Sequence, residues 1–201
     1  LMGAFPDGPE PGKYDFSSVR LPGSVGESIN PQAWKWLRKH VGGGTASFID
    51  TWWQSETGST ICSPRPHDPA FAPEGTFPDG TPHCTPLPGC ATREVPGVSV
   101  RVVDEHGDLV EPGKQGFIVV DKIGPSMART VWGDPQRYLN SYWKHYGTRG
   151  WFLAGDGAKV DDEGNVYILG RIDDVINISG HRLSTIEIES ALVTHPAVVE
   201  A

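Results

Sequence analysis

The first part of the chain alternates between extended and helical patterns of hydrophobic and polar residues. Residues 19–60 predict, in order, a strand, a glycine turn, a helix and a second strand. Asn30 is typical of a helix N-cap and Pro31 of the first helical position, and glycines 42–44 are typical of a helix end. The apolar residues between them recur at helical spacing: Trp34, Leu37 and Val41. The sequence therefore predicts an α/β unit here.

Two loops of this unit each follow a predicted strand. The loop 23–28 follows the first strand, and the loop 51–58 follows the second strand, "ASFID". In open α/β sheets, ligands bind beyond the carboxyl ends of the strands. Both loops are therefore candidate sites, and the hydroxyl groups and the glycine of "TWWQSETGST" would suit a phosphate. The alternative for that segment is a hairpin with buried tryptophans.

The centre of the chain is predicted to be rich in β structure. Residues 62–92 are crowded with Pro, Gly, His and Asp and show no hydrophobic period, which predicts a long irregular loop. From "GVSVRVVD" the pattern turns to β, with Val98, Val100 and Val102 alternating with polar residues and turns at "EHGD" and "DDEGN". We interpret residues 93–170 as a small antiparallel sheet or barrel.

The end of the chain predicts a strand, a sharp turn and a helix. "DVINIS" is extended and β-branched, Gly180 permits the turn, and Ser184 with Glu187 is a capping-box pattern. One face of the helix is apolar: Ile188, Ala191 and Leu192. Because one strand, a turn and a helix cannot bury a sheet, we expect the chain to continue beyond Ala201 and to begin inside a loop.

Composition limits the partners and the location. The chain has 201 residues, a formal net charge of -8 and no block of Lys or Arg, which argues against nucleic acid and anionic membranes as partners. Three cysteines without the paired spacing of a zinc site predict a reducing, cytoplasmic location. No apolar run reaches the roughly 20 residues of a membrane span.

Four charged residues stand in glycine-rich or turn contexts beside predicted β structure: Asp156, Arg171, Asp173 and Arg182. Arginine side chains suit phosphate or carboxylate groups, and a carboxylate between two glycines can accept hydrogen bonds from both hydroxyls of a ribose. For each residue alone, a surface salt bridge is the alternative. The combination favours a nucleotide site.

Four segments carry a resemblance to a known family. They are "GSVGESINP", "DTWWQSETGS", "WFLAGDGA" and "GRIDDVINISGHRLSTIEIESALVTHP". Together, and in this order, they resemble the adenylate-forming acyl-CoA synthetases, and among these the enzymes that activate acetate. The likeness runs from about Tyr14 to Ala201.

The resemblance implies a mixed α/β fold. The chain would form the C-terminal part of the large N-terminal domain, a partial α/β unit plus a β-barrel-like subdomain, and then the start of the small C-terminal α+β domain. The implied division is a nucleotide-binding part at 1–92, a β-rich subdomain at 93–170, a hinge at 171–175, and the start of the C-terminal domain at 176–201.

The implied reaction has two steps. Acetate attacks ATP to give acetyl-AMP and pyrophosphate, and coenzyme A then displaces AMP to give acetyl-CoA. Mg²⁺ is the implied metal cofactor.

The resemblance also assigns roles to residues. Gln54 and Arg182 are the expected catalytic residues, Arg182 by stabilising charge that develops on the phosphate. The expected nucleotide contacts are Gly26, Glu27, Ser28, Asp50, Thr51, Trp52, Gln54, Ser55, Asp156, Arg171 and Arg182. The other expected sites are an acyl pocket at Val25 and Trp53, a coenzyme A channel at Ser179 and Gly180, a hinge at Asp173, and a magnesium site at Val193, His195 and Val198.

The chain departs from the family in several places. Ser28, Ser55 and Ser59 stand where Pro, Thr and Gly are usual. The family's phosphate loop is expected before Leu1 and its catalytic lysine after Ala201, so we expect a fragment that is inactive by itself. Two alternatives stay open: a ligase for propionate or another short acid, and a non-catalytic nucleotide-binding module.

Overall fold

The structure is a computed structural model, and it describes residues 11–43, 48–64, 87–174, 176–178, 181–183, 185–193, 195 and 197–198. These residues form three small sheets with helices between them. The mixed α/β fold predicted from the sequence is therefore confirmed.

The first unit contains two short parallel strands and a helix. β1 (Gly23–Ser24) pairs in parallel with β2 (Ile49–Asp50), and α1 (Pro31–His40) lies between them in the chain. The side chain of Asn30 accepts a 2.8 Å hydrogen bond from the N–H of Gln32, which confirms the predicted N-cap. The parallel pairing brings the loops that follow β1 and β2 to one edge.

The buried face of α1 differs from the prediction. Trp34 and Trp36 are the buried residues of the helix, whereas Leu37 and Val41 are half-buried. Trp34 packs edge-on against Phe48, with ring centroids 5.5 Å apart. The helical period correctly identified Trp34 but missed Trp36.

The largest sheet is a four-stranded antiparallel meander, as the alternating pattern predicted. Its strands are neighbours in chain order: β3 (Ser99–Val103), β4 (Gln115–Lys122), β5 (Phe152–Val160) and β6 (Val166–Arg171). Gly107 and Gly164 have φ angles of 82° and 83° in the two predicted turns. The main hydrophobic core takes side chains from all four strands, including Val102, Ile118, Val120, Phe152, Ala154 and Val166.

A helical segment that the sequence did not predict joins β4 to β5. α2 (Pro135–Tyr138) is capped by the side chain of Asp134, and a π-helix at Leu139–Trp143 follows it directly. Tyr142 stacks on Phe152 at the start of β5, with ring centroids 5.0 Å apart. This segment is thus packed against the strand that carries the candidate site.

Backbone pairing holds both ends of the predicted long loop, residues 62–92. Cys62 forms an antiparallel bridge with Trp52, and Thr92 forms one with Val166 in β6. Most of the interior of the loop lies outside the described residues. The two ends are therefore part of the β-rich region.

The C-terminal part contains the predicted strand and helix. β7 (Ile176–Ile178) pairs antiparallel with β8 (His181–Leu183), and α3 (Thr185–Leu192) follows. The predicted turn residue Gly180 and the predicted cap Ser184 lie outside the described residues.

The apolar positions of α3 are exposed in this structure. Ile188 is 36% exposed and Leu192 is 49% exposed. Within the described residues, none of the helices combines the length and the apolar content that crossing a membrane requires.

Candidate functional site

Asp156 is the centre of the candidate site. It lies in β5 directly opposite Arg171 in β6, and its side chain is buried, with 7% exposure of the residue. Gly155 precedes it with a φ angle of 76°, in the region that favours glycine. A Cβ on Gly155 would lie 2.8 Å from a guanidinium nitrogen of Arg171, so the glycine leaves room for that side chain beside Asp156.

Three side chains donate hydrogen bonds to the Asp156 carboxylate. Trp52 Nε1 donates to Oδ2 at 2.9 Å, and Gln54 Nε2 donates to the same oxygen at 2.8 Å. Arg171 reaches Oδ1 at 3.4 Å. Gln54 and Arg171 also donate to the carbonyl oxygen of Ala154, at 2.7 and 3.2 Å. The structure thus brings together four residues that the resemblance had implied.

The cluster around Asp156 has more hydrogen-bond acceptors than it has donors to satisfy them. Burial raises the pKa of Asp156, and the hydrogen bond from Trp52 and the charge of Arg171 oppose that shift. Gln54 Oε1 is buried and has no hydrogen-bond partner among the described residues. Buried acceptors of this kind can receive the hydroxyl groups of a ligand. The site is therefore suited to a polyhydroxylated group such as a ribose.

The loop 51–58 is closed by a hydrogen-bonded turn around Thr57, which is fully buried. Its hydroxyl accepts a 2.9 Å hydrogen bond from the N–H of Gln54 and donates to the Gln54 carbonyl at 2.8 Å. Ser126 Oγ donates to the Thr57 carbonyl at 2.8 Å. Ser55 is exposed on this turn, where its hydroxyl is accessible to a ligand.

Pairing of β1 with β2 joins this loop to the loop 23–28. The N–H and the hydroxyl of Thr51 both donate to the carbonyl oxygen of Ser24, at 3.1 and 3.2 Å. Asp50 precedes Thr51 and is buried. Burial raises the pKa of Asp50 from 3.8 to about 6, while a backbone hydrogen bond from Thr51 opposes the shift.

We expect Asp50→Asn to stabilise the folded protein by about 3 kcal/mol at pH 7. The folded-state pKa is raised, so the ionised carboxylate is penalised; the penalty grows as pH rises from about 3.8 to about 6 and is then complete. Urea unfolding of the wild type and the variant at pH 7 and pH 4 measures this. The two proteins should differ at pH 7 and converge at pH 4. An equal difference at both values would show that burial of the charge is not the cause.

The loop 23–28 is attached to β6. Ser28 Oγ donates a 2.9 Å hydrogen bond to the carbonyl oxygen of Ile168. Gly26 has a φ angle of 106°, and Glu27 is exposed. The hydroxyl of Ser28 thus fixes the loop, and the role of all three loop residues as nucleotide contacts stays a prediction.

The two predicted acyl-pocket residues are large apolar side chains at the same sheet edge. Val25 follows β1 directly, and Trp53 lies in the loop that follows β2. Val25 is 56% exposed and Trp53 is 45% exposed. They are therefore accessible from the edge where ligands of α/β sheets bind.

The predicted hinge residue follows β6 without a break. Asp173 lies in the 3-10 turn Ile172–Asp174, and its carboxylate is 3.7 Å from a guanidinium nitrogen of Arg171. The side chain of Asp173 is 79% exposed. A movement at this turn would therefore move the side chain of Arg171, which donates a hydrogen bond to Asp156.

The other C-terminal site residues are described in part. The backbone of Arg182 pairs with Asn177 across β7 and β8, but its side chain lies outside the described residues. Ser179 and Gly180 also lie outside them.

The turn after α3 holds the predicted magnesium residues. The N–H of Ala197 donates to Nδ1 of His195 at 3.2 Å, and the N–H of Val198 donates to the His195 carbonyl at 2.9 Å. Mg²⁺ prefers six oxygen ligands, so carbonyl oxygens of Val193 and Val198 fit it, whereas the imidazole does not. Within the described residues no group of three or more His, Cys, Asp or Glu could hold a metal. Magnesium at this turn stays a prediction.

Sequence reasoning missed the residues that support the site from a distance. Ser126 lies 69 residues from Thr57, and Tyr142, whose hydroxyl donates to Glu56 Oε1, lies 86 residues from that glutamate. No local pattern marks such pairs. The one available signal was that Glu56 and Thr57 lie inside the segment "TWWQSETGST".

Comparison with known proteins identifies the family of the chain. The profile of a family described as "AMP-binding enzyme" matches residues 3–132, which include both loops at the edge of the parallel strands. The chain belongs to this family of AMP-binding enzymes. The match does not include Asp156 or Arg171, so their placement at the site rests on the contacts described above.

Three similar proteins share the name acetyl-coenzyme A synthetase. An acetyl-coenzyme A synthetase of Mycolicibacterium smegmatis is 47% identical over 197 residues, covering 95% of this chain and 19% of the relative. One from Streptomyces avermitilis is 48% identical, covering 95% of this chain and 27% of the relative. One from Chromobacterium violaceum is 49% identical with the same coverage. The chain thus spans between a fifth and about a quarter of the length of these three relatives.

A solved structure has the same fold. The crystal structure of the anthranilate CoA ligase AuaEII in complex with anthranoyl-AMP matches 94% of this chain and 31% of its own, with a TM-score of 0.72 and 26% identity. That enzyme is an acyl-CoA ligase with a bound acyl-adenylate. The chain therefore has the fold of part of an adenylate-forming enzyme.

Proposed function

We propose that this AMP-binding chain is part of an AMP-forming acetate-CoA ligase. The ligase would join acetate to AMP, with release of pyrophosphate, and then transfer the acetyl group to coenzyme A with release of AMP. The observation that carries the proposal is the buried carboxylate of Asp156, held by Trp52, Gln54 and Arg171 beside acceptors that a ribose could satisfy. The names of the relatives support the choice of acid.

In this proposal each described residue has a binding or orienting role. Asp156 accepts hydrogen bonds from ribose hydroxyls, and the charge of Arg171 favours the ionised form of that carboxylate and orients it. The loop 51–58 presents the exposed hydroxyl of Ser55 to the phosphates, and Gln54 uses its unpaired oxygen as a further acceptor. Arg182 would neutralise charge on the phosphate during attack by the acid. A magnesium ion, when bound, would neutralise the pyrophosphate leaving group.

The proposed domain plan follows from the same site. Residues 1–92 and 93–170 would belong to the large domain, with the long loop and the barrel-like sheet, and 176–201 would begin the small one. The hinge at 171–175 would turn about Asp173. Arg171 contacts both Asp156 and Asp173. Rotation at the hinge would therefore be coupled to whether a nucleotide occupies the site at Asp156. Coenzyme A contacts at Ser179 and Gly180 and a cytoplasmic location remain predictions.

Trp53 is the residue that we expect to limit the length of the acid. Replacing it with Gly should raise kcat/KM for butyrate relative to acetate by at least about tenfold, because each methylene is worth about 1 to 3 kcal/mol in an apolar pocket. Acid-dependent ATP-pyrophosphate exchange with acetate, propionate and butyrate measures the profile. Trp132→Gly is the control, since Trp132 is 98% exposed outside the loops of the site. A chain-length profile that Trp53→Gly leaves unchanged would contradict the assignment.

The function is tested by the same exchange assay on the full-length protein. Exchange that requires an acid and prefers acetate would support the proposed ligase. Exchange that prefers propionate would point instead to a ligase for a longer acid, which the partly exposed Trp53 could admit. Calorimetric binding of ATP without exchange would favour a non-catalytic nucleotide-binding module.

A further inference from the structure

Ser28 ends the loop 23–28 and is one of the positions at which the chain departs from the family. Its side chain is half-buried. The hydroxyl donates a 2.9 Å hydrogen bond to the carbonyl oxygen of Ile168, which lies 140 residues further along the chain. Ile168 belongs to β6, the strand that also carries Arg171. One hydroxyl therefore joins two segments of the candidate site that are distant in sequence.

The acceptor of this hydrogen bond lies on the outer edge of β6. The order of the sheet, β3-β4-β5-β6, makes β6 an edge strand. Two residues before Ile168, the carbonyl of Val166 accepts a 3.0 Å hydrogen bond from the N–H of Ala91, which is outside the sheet. Carbonyl groups two residues apart in a strand point to the same side, so the carbonyl of Ile168 faces this edge too. Ser28 thus supplies the donor that a further strand would otherwise provide.

The two loops that follow the parallel strands are each joined to the large sheet by hydrogen bonds. The loop 51–58 donates to the carboxylate of Asp156 in β5. The loop 23–28 donates to β6 through Ser28, and the acceptor precedes Arg171 by three residues. Each loop therefore has its own connection to the strands that carry Asp156 and Arg171.

The loop 23–28 is anchored near both of its ends. At the first end, the carbonyl of Ser24 accepts hydrogen bonds from the N–H and the hydroxyl of Thr51. At the second end, the hydroxyl of Ser28 holds the chain to β6. The residues 25–27 between these anchors are exposed. A segment of three residues between two fixed ends can adopt few conformations, so the loss of one anchor would enlarge its range.

We propose that Ser28 is a positioning residue whose hydroxyl holds the loop 23–28 against the edge of β6, so that the loop meets the nucleotide in one arrangement. The inference rests on the proposed function, because it takes this loop to be part of the nucleotide site. Ser28 acts through the backbone of the loop. The hydrogen bond restrains the loop before the ligand arrives, so less conformational freedom is lost when the nucleotide binds.

Ser28→Ala in the full-length protein removes the hydroxyl that donates to β6. We expect the KM for ATP in acid-dependent pyrophosphate exchange to rise about fivefold, because one neutral hydrogen bond is lost, with kcat changed less than about twofold. A merely structural role would lower the active fraction, and hence kcat, at an unchanged KM. Ser63→Ala is the matched control. Ser63 is also half-buried, and its hydroxyl donates at 2.9 Å to the carbonyl of the adjacent Pro64.

Hydrogen exchange without nucleotide separates positioning from direct contact with the ligand. If the hydrogen bond holds the loop, the backbone amides of residues 25–28 should exchange about fivefold faster in Ser28→Ala than in the wild type, and Ser63→Ala should leave them unchanged. If the hydroxyl acts only by touching the nucleotide, exchange in the free protein would be the same in all three. The inference is overturned by unchanged exchange of the loop, by an unchanged KM for ATP, or by equal effects of Ser63→Ala.

Calorimetric titration with ATP separates this inference from the proposed function. If the wild type binds ATP but shows no acid-dependent exchange, the proposed ligase activity fails, and the same variants are compared by their Kd for ATP. A fivefold weaker Kd for Ser28→Ala, together with faster hydrogen exchange of the loop, would still support the positioning role. A wild type that does not bind ATP would overturn both.

Discussion

Asp156→Asn is expected to weaken the binding of ATP and of AMP by about a hundredfold or more. The substitution removes the charge that strengthens hydrogen bonds from ribose hydroxyls, each worth about 1.5 to 3 kcal/mol, and two such bonds correspond to at least about two factors of ten. It also places an amide beside the donors of Trp52 and Gln54, both of which use the same carboxylate oxygen. Either both then lose their acceptor, or the amide nitrogen takes the place of Oδ1, where Arg171 loses its acceptor.

The stability of the variant should change much less than its affinity. Burial raises the pKa of Asp156, so its ionised form is penalised in the folded protein, and removing the charge offsets part of the lost hydrogen bonding. Calorimetric titration with ATP and AMP, together with urea unfolding, measures both quantities. Asp162→Asn is the control, because Asp162 is exposed in the turn between β5 and β6. Affinities within threefold of the wild type would mean that the ribose does not bind at Asp156.

The sequence predicted those parts of the site that depend on local pattern. Asp156 stands out because glycines flank it, and the loop 51–58 stands out because it follows a strand. The contact between them could not be predicted, since Trp52 and Gln54 lie 104 and 102 residues from Asp156. Only the pairing of distant strands brings these segments together. The resemblance to a family supplied the roles, and the structure supplied the hydrogen bonds.

The fold shows the same division between local and distant causes. The meander of β3 to β6 was predictable, because Val98, Val100 and Val102 alternate with polar residues and the turns at "EHGD" and "DDEGN" each carry a glycine. The helical segment before β5 was missed because α2 has four residues and the π-helix five, too few to repeat a helical period. In α1, the helical period marked the side of the helix that carries Trp34, Leu37 and Val41. Trp36 was missed because it lies on a different side, where its ring centroid is 5.1 Å from that of His40.

Gly58→Ala is expected to destabilise the folded protein by about 3 kcal/mol or more. Gly58 has a φ angle of 66°, and a Cβ there would lie 2.2 Å from the carbonyl oxygen of Ser126 and 3.2 Å from its carbonyl carbon. The obstacle is backbone, so a change of side-chain rotamer cannot relieve it. Ser126 is also tied to the loop, because its hydroxyl donates to the carbonyl of Thr57 and bonds the hydroxyl of Ser59 at 2.9 Å. Moving the two backbones apart would therefore break the turn that presents Gln54.

Gly133→Ala separates this close approach from backbone conformation. Gly133 has a φ angle of 73°, but a Cβ there would have no heavy atom within 4 Å, so its substitution should cost only about 1 kcal/mol. Urea unfolding at pH 7 compares the two variants, and calorimetric titration with ATP shows whether Gly58→Ala also weakens the site. Equal free energies of unfolding would contradict the prediction, because the loop 51–58 would then be free to move away from Ser126. A much larger cost at Gly58 would show that the position of Gln54 depends on this contact between distant segments as well as on the hydrogen bonds of its own turn.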